Sequence, residues 1–375
     1  MTRRFGIYLH VPLCRRRCRY CDFCSRSVDD HALIDRVAEA LSNQVSRAEP
    51  LFGNTLYVGG GTPNLLSAAA LMDLIARTRE RFALPTGAEV SCEANPAANH
   101  APGYLAALVR SGLTRLSVGF QSFDDAELRL LGRLHDAAAT DIFSNARRAG
   151  VESLSIDLLY GLPGQRPATF QRSLERALAL DIDHLSLYAL KLEPGTALAA
   201  AVERGELPAP DPDAAADCYE TALEVLDDAG YRQYELSNFA RPGRRCRHNE
   251  HYWRAGPFIG LGPSAVGDDG ERRRRVTNDV EAWLAAVESG AEPAFEIETP
   301  SVRERRIEFA MLALRTREGL SRAAFRRRFG LEVEAAFPEL TPHLKAGALE
   351  ERGDSLRLAR ASQLVADRIL ADLFP

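Results

Sequence analysis

Cys14, Cys18 and Cys21 stand on one short stretch with the spacing Cys-x3-Cys-x2-Cys, and Cys24 follows three residues later. Thiolates are soft, strongly donating ligands that suit iron–sulfur clusters or zinc. Zinc commonly takes four ligands from paired Cys-x2-Cys knuckles that are distant in sequence, and this chain has one compact set. Three cysteines on a four-iron cubane leave one iron open, and an open iron is a place for chemistry. Cys92, Cys218 and Cys246 are scattered, and seven cysteines is an odd count. A disulfide framework would spread its pairs and suit a small secreted chain. A tight cluster in 375 residues reads instead as a metal site, with zinc as the alternative to iron–sulfur.

Two other stretches carry chemistry. Gly59-Gly60-Gly61-Thr62-Pro63 follows an apolar run. Consecutive glycines let backbone N–H groups approach a ligand without Cβ interference, although the same residues also make a plain tight turn. Glu93, in Ser-Cys-Glu-Ala-Asn-Pro, ends the next strand candidate. Its carboxylate can pair with an ammonium group or ribose hydroxyls, or it can cap a turn.

The cysteine spacing resembles the signature of the radical S-adenosylmethionine (SAM) superfamily. That resemblance implies a [4Fe–4S] cluster on Cys14, Cys18 and Cys21, whose open iron chelates SAM. The reduced cluster then cleaves the sulfonium to methionine and a 5′-deoxyadenosyl radical, in a site that must exclude water. A fourth thiolate from Cys24 would close the SAM position, so Cys24 reads as a bystander. Tyr20 and Phe23 interleave the cysteines and are expected to shield the cluster and pack against adenine; for Phe23 a core role is the alternative.

Further motifs narrow the resemblance. Arg115-x-Ser117-x-Gly119-x-Gln121-Ser122, Asp157-Leu-Leu-Tyr-Gly161-Leu-Pro-Gly164-Gln165 and Tyr188-x5-Pro194-Gly195-Thr196 look like the oxygen-independent coproporphyrinogen III oxidase and haem chaperone branch. The likeness runs over about residues 5–265. It implies that Tyr8, Gly60, Gly61, Thr62, Glu93, Gln121, Arg133, Asp157 and Ala189 line the SAM region, with a plain surface role the alternative for Arg133. His248-Asn249-Glu250-His251-Tyr252-Trp253 resembles the HNxxYW motif of the haem chaperones. A neutral histidine nitrogen is a good axial ligand for haem iron, and Tyr and Trp offer flat apolar surface to a porphyrin. His248 is the expected haem ligand, with His251 and Cys246 as rivals. The structural alternative has His248 hydrogen-bonded to a loop while Tyr252 and Trp253 fill a core edge.

Thirteen residues precede Cys14, where the oxidases carry a longer segment. The oxidases also place a cysteine two residues after the third cluster cysteine; that position is Phe23, and Cys24 departs from both patterns. The expected function is a haem chaperone that binds haem with the cluster and SAM, and passes haem to a recipient haemoprotein. An electron donor would serve the cluster, and no coproporphyrinogen oxidase activity is expected. The alternative is oxidative decarboxylation of coproporphyrinogen III to protoporphyrinogen IX. A third reading is a nucleic-acid-modifying enzyme that uses an arginine-rich C-terminus.

These residues need a scaffold. Strand candidates at 5–11, 54–60, 88–94, 115–120, 154–161 and 184–190, with a seventh at 231–237, alternate with amphipathic segments at 31–48, 67–82, 138–149, 167–180 and 212–229. The alternation predicts parallel βαβ units with right-handed crossovers. The pattern alone permits an open doubly wound α/β sheet or a full or partial barrel. The resemblance selects a partial (β/α) TIM-type barrel over residues 1–295. Functional groups fall just after the strands, where such folds build their sites. A linker is read at 290–301, and a small C-terminal helical domain is assigned over 296–375, with a winged helix as one form and a short strand near 354–358.

Apolar residues make up 46% and charged residues 26%, so a wholly disordered chain is excluded. No apolar run reaches the ~18 residues of a membrane helix, and the polar N-terminus lacks the form of a signal peptide. A cytoplasmic protein is expected. The net charge of −5 gives no bulk attraction to nucleic acid, and the runs 271–275 and 322–328 read as solvated faces.

Overall fold

The computed structural model describes residues 3–373. Six parallel strands run in sequence order: β1 (Phe5–Val11), β2 (Gly53–Gly60), β3 (Glu89–Ala94), β4 (Arg115–Gln121), β5 (Ser153–Tyr160) and β6 (His184–Ala189). Helices His31–Arg47, Ala68–Arg81, Pro102–Arg110, Asp141–Ala149 and Pro167–Leu178 make the crossovers. At one edge, β7 (Asn238–Ala240) runs antiparallel to β6. At the other, β8 (Phe258–Leu261) lies parallel to β1 and leads into an antiparallel meander, Val266–Asp268, Arg273–Val276 and Phe295–Glu298.

Strand alternation divides the side chains between two environments. Ile7, Leu9, Leu56, Val58, Val90, Leu116, Val118, Leu154, Ile156 and Leu185 are almost fully buried beneath the helices in one continuous apolar core. The opposite positions are polar and bond to one another across the strands. Ser117 Oγ donates to Asp157 Oδ1 at 3.2 Å, Tyr57 Oη donates to Glu93 Oε1 at 3.0 Å, and Ser155 Oγ lies 2.8 Å from His184 Nδ1. A closed TIM barrel fills its interior with branched aliphatic side chains; this lumen is lined with groups that can meet a ligand.

The floor of the barrel is a helix, Arg247–Trp253. Glu89, at the start of β3, caps it: its carboxylate accepts from the backbone N–H groups of Arg247 and His248, each at 3.0 Å, and from Cys246 Sγ at 3.4 Å. The orphan donors of the helix start are thereby satisfied, and the helix is held inside the barrel end.

A second core gathers Ile307, Leu314, Phe325, Val333, Leu356 and Leu358. Helices Val302–Leu314 and Arg322–Phe329 pack there with a three-stranded antiparallel sheet of Leu320–Ser321, Leu349–Arg352 and Ser355–Leu358. Arg305 bonds Asp268, and Tyr219 Oη donates to Gln363 Oε1 at 3.1 Å, tying this unit to the barrel.

Several expectations change in detail. The candidate strand 231–237 shrinks to Arg232–Gln233, because the chain turns back there to form β7. The segment 290–301 contains the edge strand Phe295–Glu298, so the large sheet extends past residue 295. At the end of the expected C-terminal helical domain, the chain forms a 3₁₀ segment, Arg360–Val365, and the helix Ala366–Ala371. Arginines of the two basic runs pair with acids: Arg273 with Asp268 and Glu298, Arg274 with Glu292, Arg322 with Glu334 and Glu351, and Arg326 with Glu332. No described helix is long and apolar enough to cross a membrane.

Candidate functional site

The cysteine loop leaves the C-terminal end of β1. Leu13–Cys14 pairs with Arg26–Ser27 and closes the loop at its base. Arg19 N–H donates to the Leu131 carbonyl at 2.9 Å, and Arg16 Nη2 to the Gly132 carbonyl at 3.0 Å, so the loop is tied to the end of the helix Asp125–Leu131. Cys14, Cys18 and Cys21 all line one cavity of about 380 Å³. All seven cysteines are free thiols. Cys14 Sγ receives the Thr62 hydroxyl at 3.5 Å, and Cys18 Sγ receives Arg133 Nη1 at 3.4 Å. Burial pushes the Cys14 thiol up and the Cys21 thiol up to about 11, so cluster assembly must displace protons from them. Three half-buried thiols line this cavity, with a guanidinium on Cys18, and are the donor type of a site-differentiated [4Fe–4S] cluster; among the described residues no three candidate ligands converge closely enough to hold a metal ion as they stand.

Cys24 does not join them. Its Sγ donates to the Asn278 carbonyl at 3.3 Å, and it lines a neighbouring cavity. Phe23 is 56% exposed, so the core role is excluded for it; it stands between the two cavities. Tyr20 lines the thiol cavity, as do Gly60, Gly61, Thr62, Glu93, Gln121, Arg133, Asp157 and Ala189. Arg133 is not a surface arginine: Nη2 reaches the Gly119 carbonyl and its buried Nε has no protein partner.

The glycine turn is required by space. Gly60 has φ of +106°, and a Cβ there would lie 2.6 Å from the His10 ring. A Cβ on Gly61 would lie 2.4 Å from the Leu13 carbonyl oxygen, beside Cys14. Backbone cannot yield there as a flexible side chain would. Gly61→Ala is expected to cost about 1–3 kcal/mol and to lower iron retention after anaerobic reconstitution. A variant with wild-type melting and wild-type iron content would refute this account of the turn. Gln121 also holds a positive φ, +76°, at a bulge between Gly119 and Gln121. The bulge re-aims the strand end at the cavity.

Glu93 and Asp157 form the acidic wall. Glu93 accepts from Tyr57 Oη and from Gly60 N–H, each at 3.0 Å, while burial and the nearby Asp157 push its carboxyl up to about 7. Burial pushes Asp157 up to about 6, opposed by bonds from Ser186 and Ser117. A raised folded value means that the native state holds protons the unfolded chain has released. The Glu93 contribution to stability is therefore present below its ordinary value of 4.5 and lost as pH rises through about 7. Urea denaturation of the metal-free protein is expected to show stability falling across that window, with a shallower slope in Glu93→Gln. An unchanged slope would show that Glu93 is not the titrating group.

The adjoining cavity, about 610 Å³, is lined by Tyr8, His10, His248 and Tyr252, and shares Tyr57, Glu93 and Asn249 with the first. Tyr8 thus lies beside the thiol cavity rather than in it; its Oη is 2.9 Å from His10 Nδ1. His248 is 1% exposed. Its Nδ1 lies 2.7 Å from Thr55 Oγ1, and its buried Nε2 has no protein partner. Tyr57 stacks on the ring at 5.2 Å and Tyr252 meets it edge-on at 4.7 Å. Burial, with a smaller effect of His251, lowers its value to about 3, so the imidazole is neutral. The rivals are engaged: His251 Nε2 sits 3.2 Å from Gly6 N and 2.7 Å from the Pro257 oxygen, and Cys246 contacts Glu89. Trp253 turns away into a groove with Phe309 and Tyr234, so it is not beside His248's cavity. Tyr57, Arg115, Ser117, Ser186 and Asn249 were not singled out as site residues; the signal for most of them was polar residues at alternate strand positions.

Comparison with known proteins agrees with this geometry. The radical SAM superfamily profile matches residues 8–177, and the HemN C-terminal domain profile matches residues 301–365. The "Heme chaperone HemW" of Mycobacterium tuberculosis is 36% identical over 98% of this chain and 94% of its own length. The protein of the same name from Escherichia coli is 33% identical over 97% of each chain. Among solved structures, coproporphyrinogen III oxidase (HemN) from Escherichia coli, a radical SAM enzyme, superposes with a TM-score of 0.86 at 23% identity, covering 99% of this chain and 90% of that one, which shows the shared fold. The chain belongs to the radical SAM superfamily, in the HemN-like branch, and within that branch it is HemW-like.

Proposed function

We propose that this protein is a cytoplasmic haem chaperone: it binds haem beside a [4Fe–4S] cluster and SAM, and transfers the haem to a recipient haemoprotein. Cys14, Cys18 and Cys21 hold the cluster. Gly60, Gly61, Thr62, Glu93, Gln121, Arg133, Asp157 and Ala189 receive SAM, and His248 ligates haem iron. When bound, the cluster supplies one-electron reduction at SAM or haem, which calls for an external electron donor. The chain's own part is to seat these groups, keep His248 neutral, and wall off the cavity with Tyr57 and Glu93. The observation that carries the reading is His248, which lines a cavity adjoining the cluster thiols and whose buried Nε2 has no protein partner, so that haem iron would reach it as the packed rings of Tyr57 and Tyr252 give way. The HemW-named relatives support it over their full length. The paired arginines of the C-terminal unit leave nucleic acid without a special claim on this chain.

The test is haem titration and coproporphyrinogen III turnover on one anaerobically reconstituted sample. Haem uptake with a Soret band, and no porphyrinogen product, is expected. Conversion of coproporphyrinogen with SAM consumption and no haem uptake would replace this reading by the oxidase one.

A further inference from the structure

Arg115 lies deep in the cavity that the cluster thiols face. It is 2% exposed, and its hydrogen-bond partners are neutral. Nη1 donates to Ser153 Oγ at 2.8 Å and to the Arg244 carbonyl at 3.4 Å. Among the described residues no Asp or Glu makes an ion pair with it. The carboxylates around it are engaged elsewhere: Glu89 with the start of the floor helix, Asp157 with Ser117, and Glu93 with Tyr57 and Gly60. A guanidinium does not shed its proton, and Glu89 and Asp157 act on this one through space without bonding its fork.

Its surroundings form a chamber, not a packed core. Ser117, Ser186, His184 and Asn249 line the cavity at this level. His184 is already satisfied, by Ser155 at 2.8 Å on one nitrogen and Tyr234 at 2.8 Å on the other. A polar chamber with room is occupied by water or by a polar ligand, unlike a dry apolar void. Arg115 and Gln121 are the two ends of β4, about 20 Å apart along a strand of this length. The floor is therefore one ligand length below the residues assigned to SAM.

The geometry points to a carboxylate subsite at Arg115: a carboxylate of a ligand in the lumen docks on the guanidinium fork, to which no carboxylate among the described residues bonds directly. Two sources share that chemistry. One is a propionate of haem, and this source rests on the haem-chaperone reading. The other is the amino-acid carboxylate of a SAM molecule seated in the lower chamber. A planar fork favours bidentate carboxylate binding, which a lysine cannot reproduce.

The experiment compares full-length, cluster-loaded wild type with Arg115→Gln and Arg115→Lys. Haem and haem dimethyl ester are titrated through the Soret band, and SAM stoichiometry is measured by equilibrium dialysis. If the source is a propionate, Arg115→Gln weakens haem binding about tenfold or more while the ester binds both proteins alike. If it is SAM, bound SAM falls while haem affinity holds. Should Arg115→Gln fail to load iron, Arg115→Lys carries the same comparison, keeping the charge but losing the fork. Unchanged haem and SAM binding in a variant that loads iron normally overturns the subsite. Should the wild type take up no haem, the chaperone reading fails by itself and the SAM arm decides the subsite.

Discussion

Cys18→Ala, purified and reconstituted without oxygen, is expected to carry no [4Fe–4S] cluster, whereas Cys24→Ala carries a full one. Cys14, Cys18 and Cys21 line one cavity, and Cys18 sits in its wall against Arg133. With one of the three removed, two thiolates remain for a cubane that already presents one iron without a protein ligand. Cys24 cannot substitute where it stands. Its Sγ is directed to the Asn278 carbonyl, it lines the other cavity, and its backbone oxygen lies 2.7 Å from His10 Nε2. Moving it inward would break both contacts. The loss should be complete in iron and sulfide analysis and in the EPR signal after reduction. The fold should survive, because the cysteine loop closes through Leu13–Cys14 and Arg26–Ser27 backbone pairing, which needs no thiol. A normal cluster in Cys18→Ala together with a lost one in Cys24→Ala would reassign the ligands.

The parts of the site legible in the sequence are those whose chemistry is local. The three cysteines and the glycine turn are each read within a dozen residues, and both line one cavity; the strand–helix alternation, read over a longer span, stands as six parallel strands with helical crossovers. The division between lumen and core was harder to read, since it depends on register. Ser117, Asp157 and Ser186 face one another because Ser117 pairs with Ser155, and Asp157 with Ser186, across parallel strands whose order no single segment declares. Arg133 was ambiguous for a similar reason: it follows the helix Asp125–Leu131 in a loop, and its guanidinium is held by groups distant in sequence, the Gly119 carbonyl and Cys18. Tyr252 and Trp253 are neighbours on one short helix, about 100° apart around its axis. That rotation sends Tyr252 to His248 and Trp253 to the groove beside the second core, a separation that the HNxxYW pattern by itself does not express. The edge strand Phe295–Glu298 looked like a linker because all four residues are exposed and its stabilisation comes from backbone pairing with Arg273–Val276.

His248→Ala is expected to weaken haem binding by about tenfold or more and to change the haem spectrum, because an iron–imidazole bond is lost. Ligation selects the tautomer with its proton on Nδ1, donated to Thr55 Oγ1, which leaves the Nε2 lone pair for iron. The folded value of about 3 means that this nitrogen is free of a competing proton throughout pH 5–8. Haem affinity of the wild type should therefore be flat over that range as far as His248 is concerned. A histidine at its ordinary value of 6.5 would lose affinity below that pH, as protonation blocked the lone pair. A structural role for His248 makes a different set of predictions. If the ring only holds the floor helix, alanine lowers the melting temperature but leaves the haem spectrum of the folded fraction unchanged, and added imidazole restores nothing. If the ring is the ligand, imidazole can enter the space left between Tyr57 and Tyr252 and bring back the wild-type spectrum. Thr55→Val completes the comparison. It keeps the ring but removes the partner that fixes its tautomer, so it should weaken haem less than His248→Ala does. Equal haem affinity and an identical spectrum in His248→Ala would move the ligand elsewhere and take with it the observation on which the haem-binding reading chiefly rests.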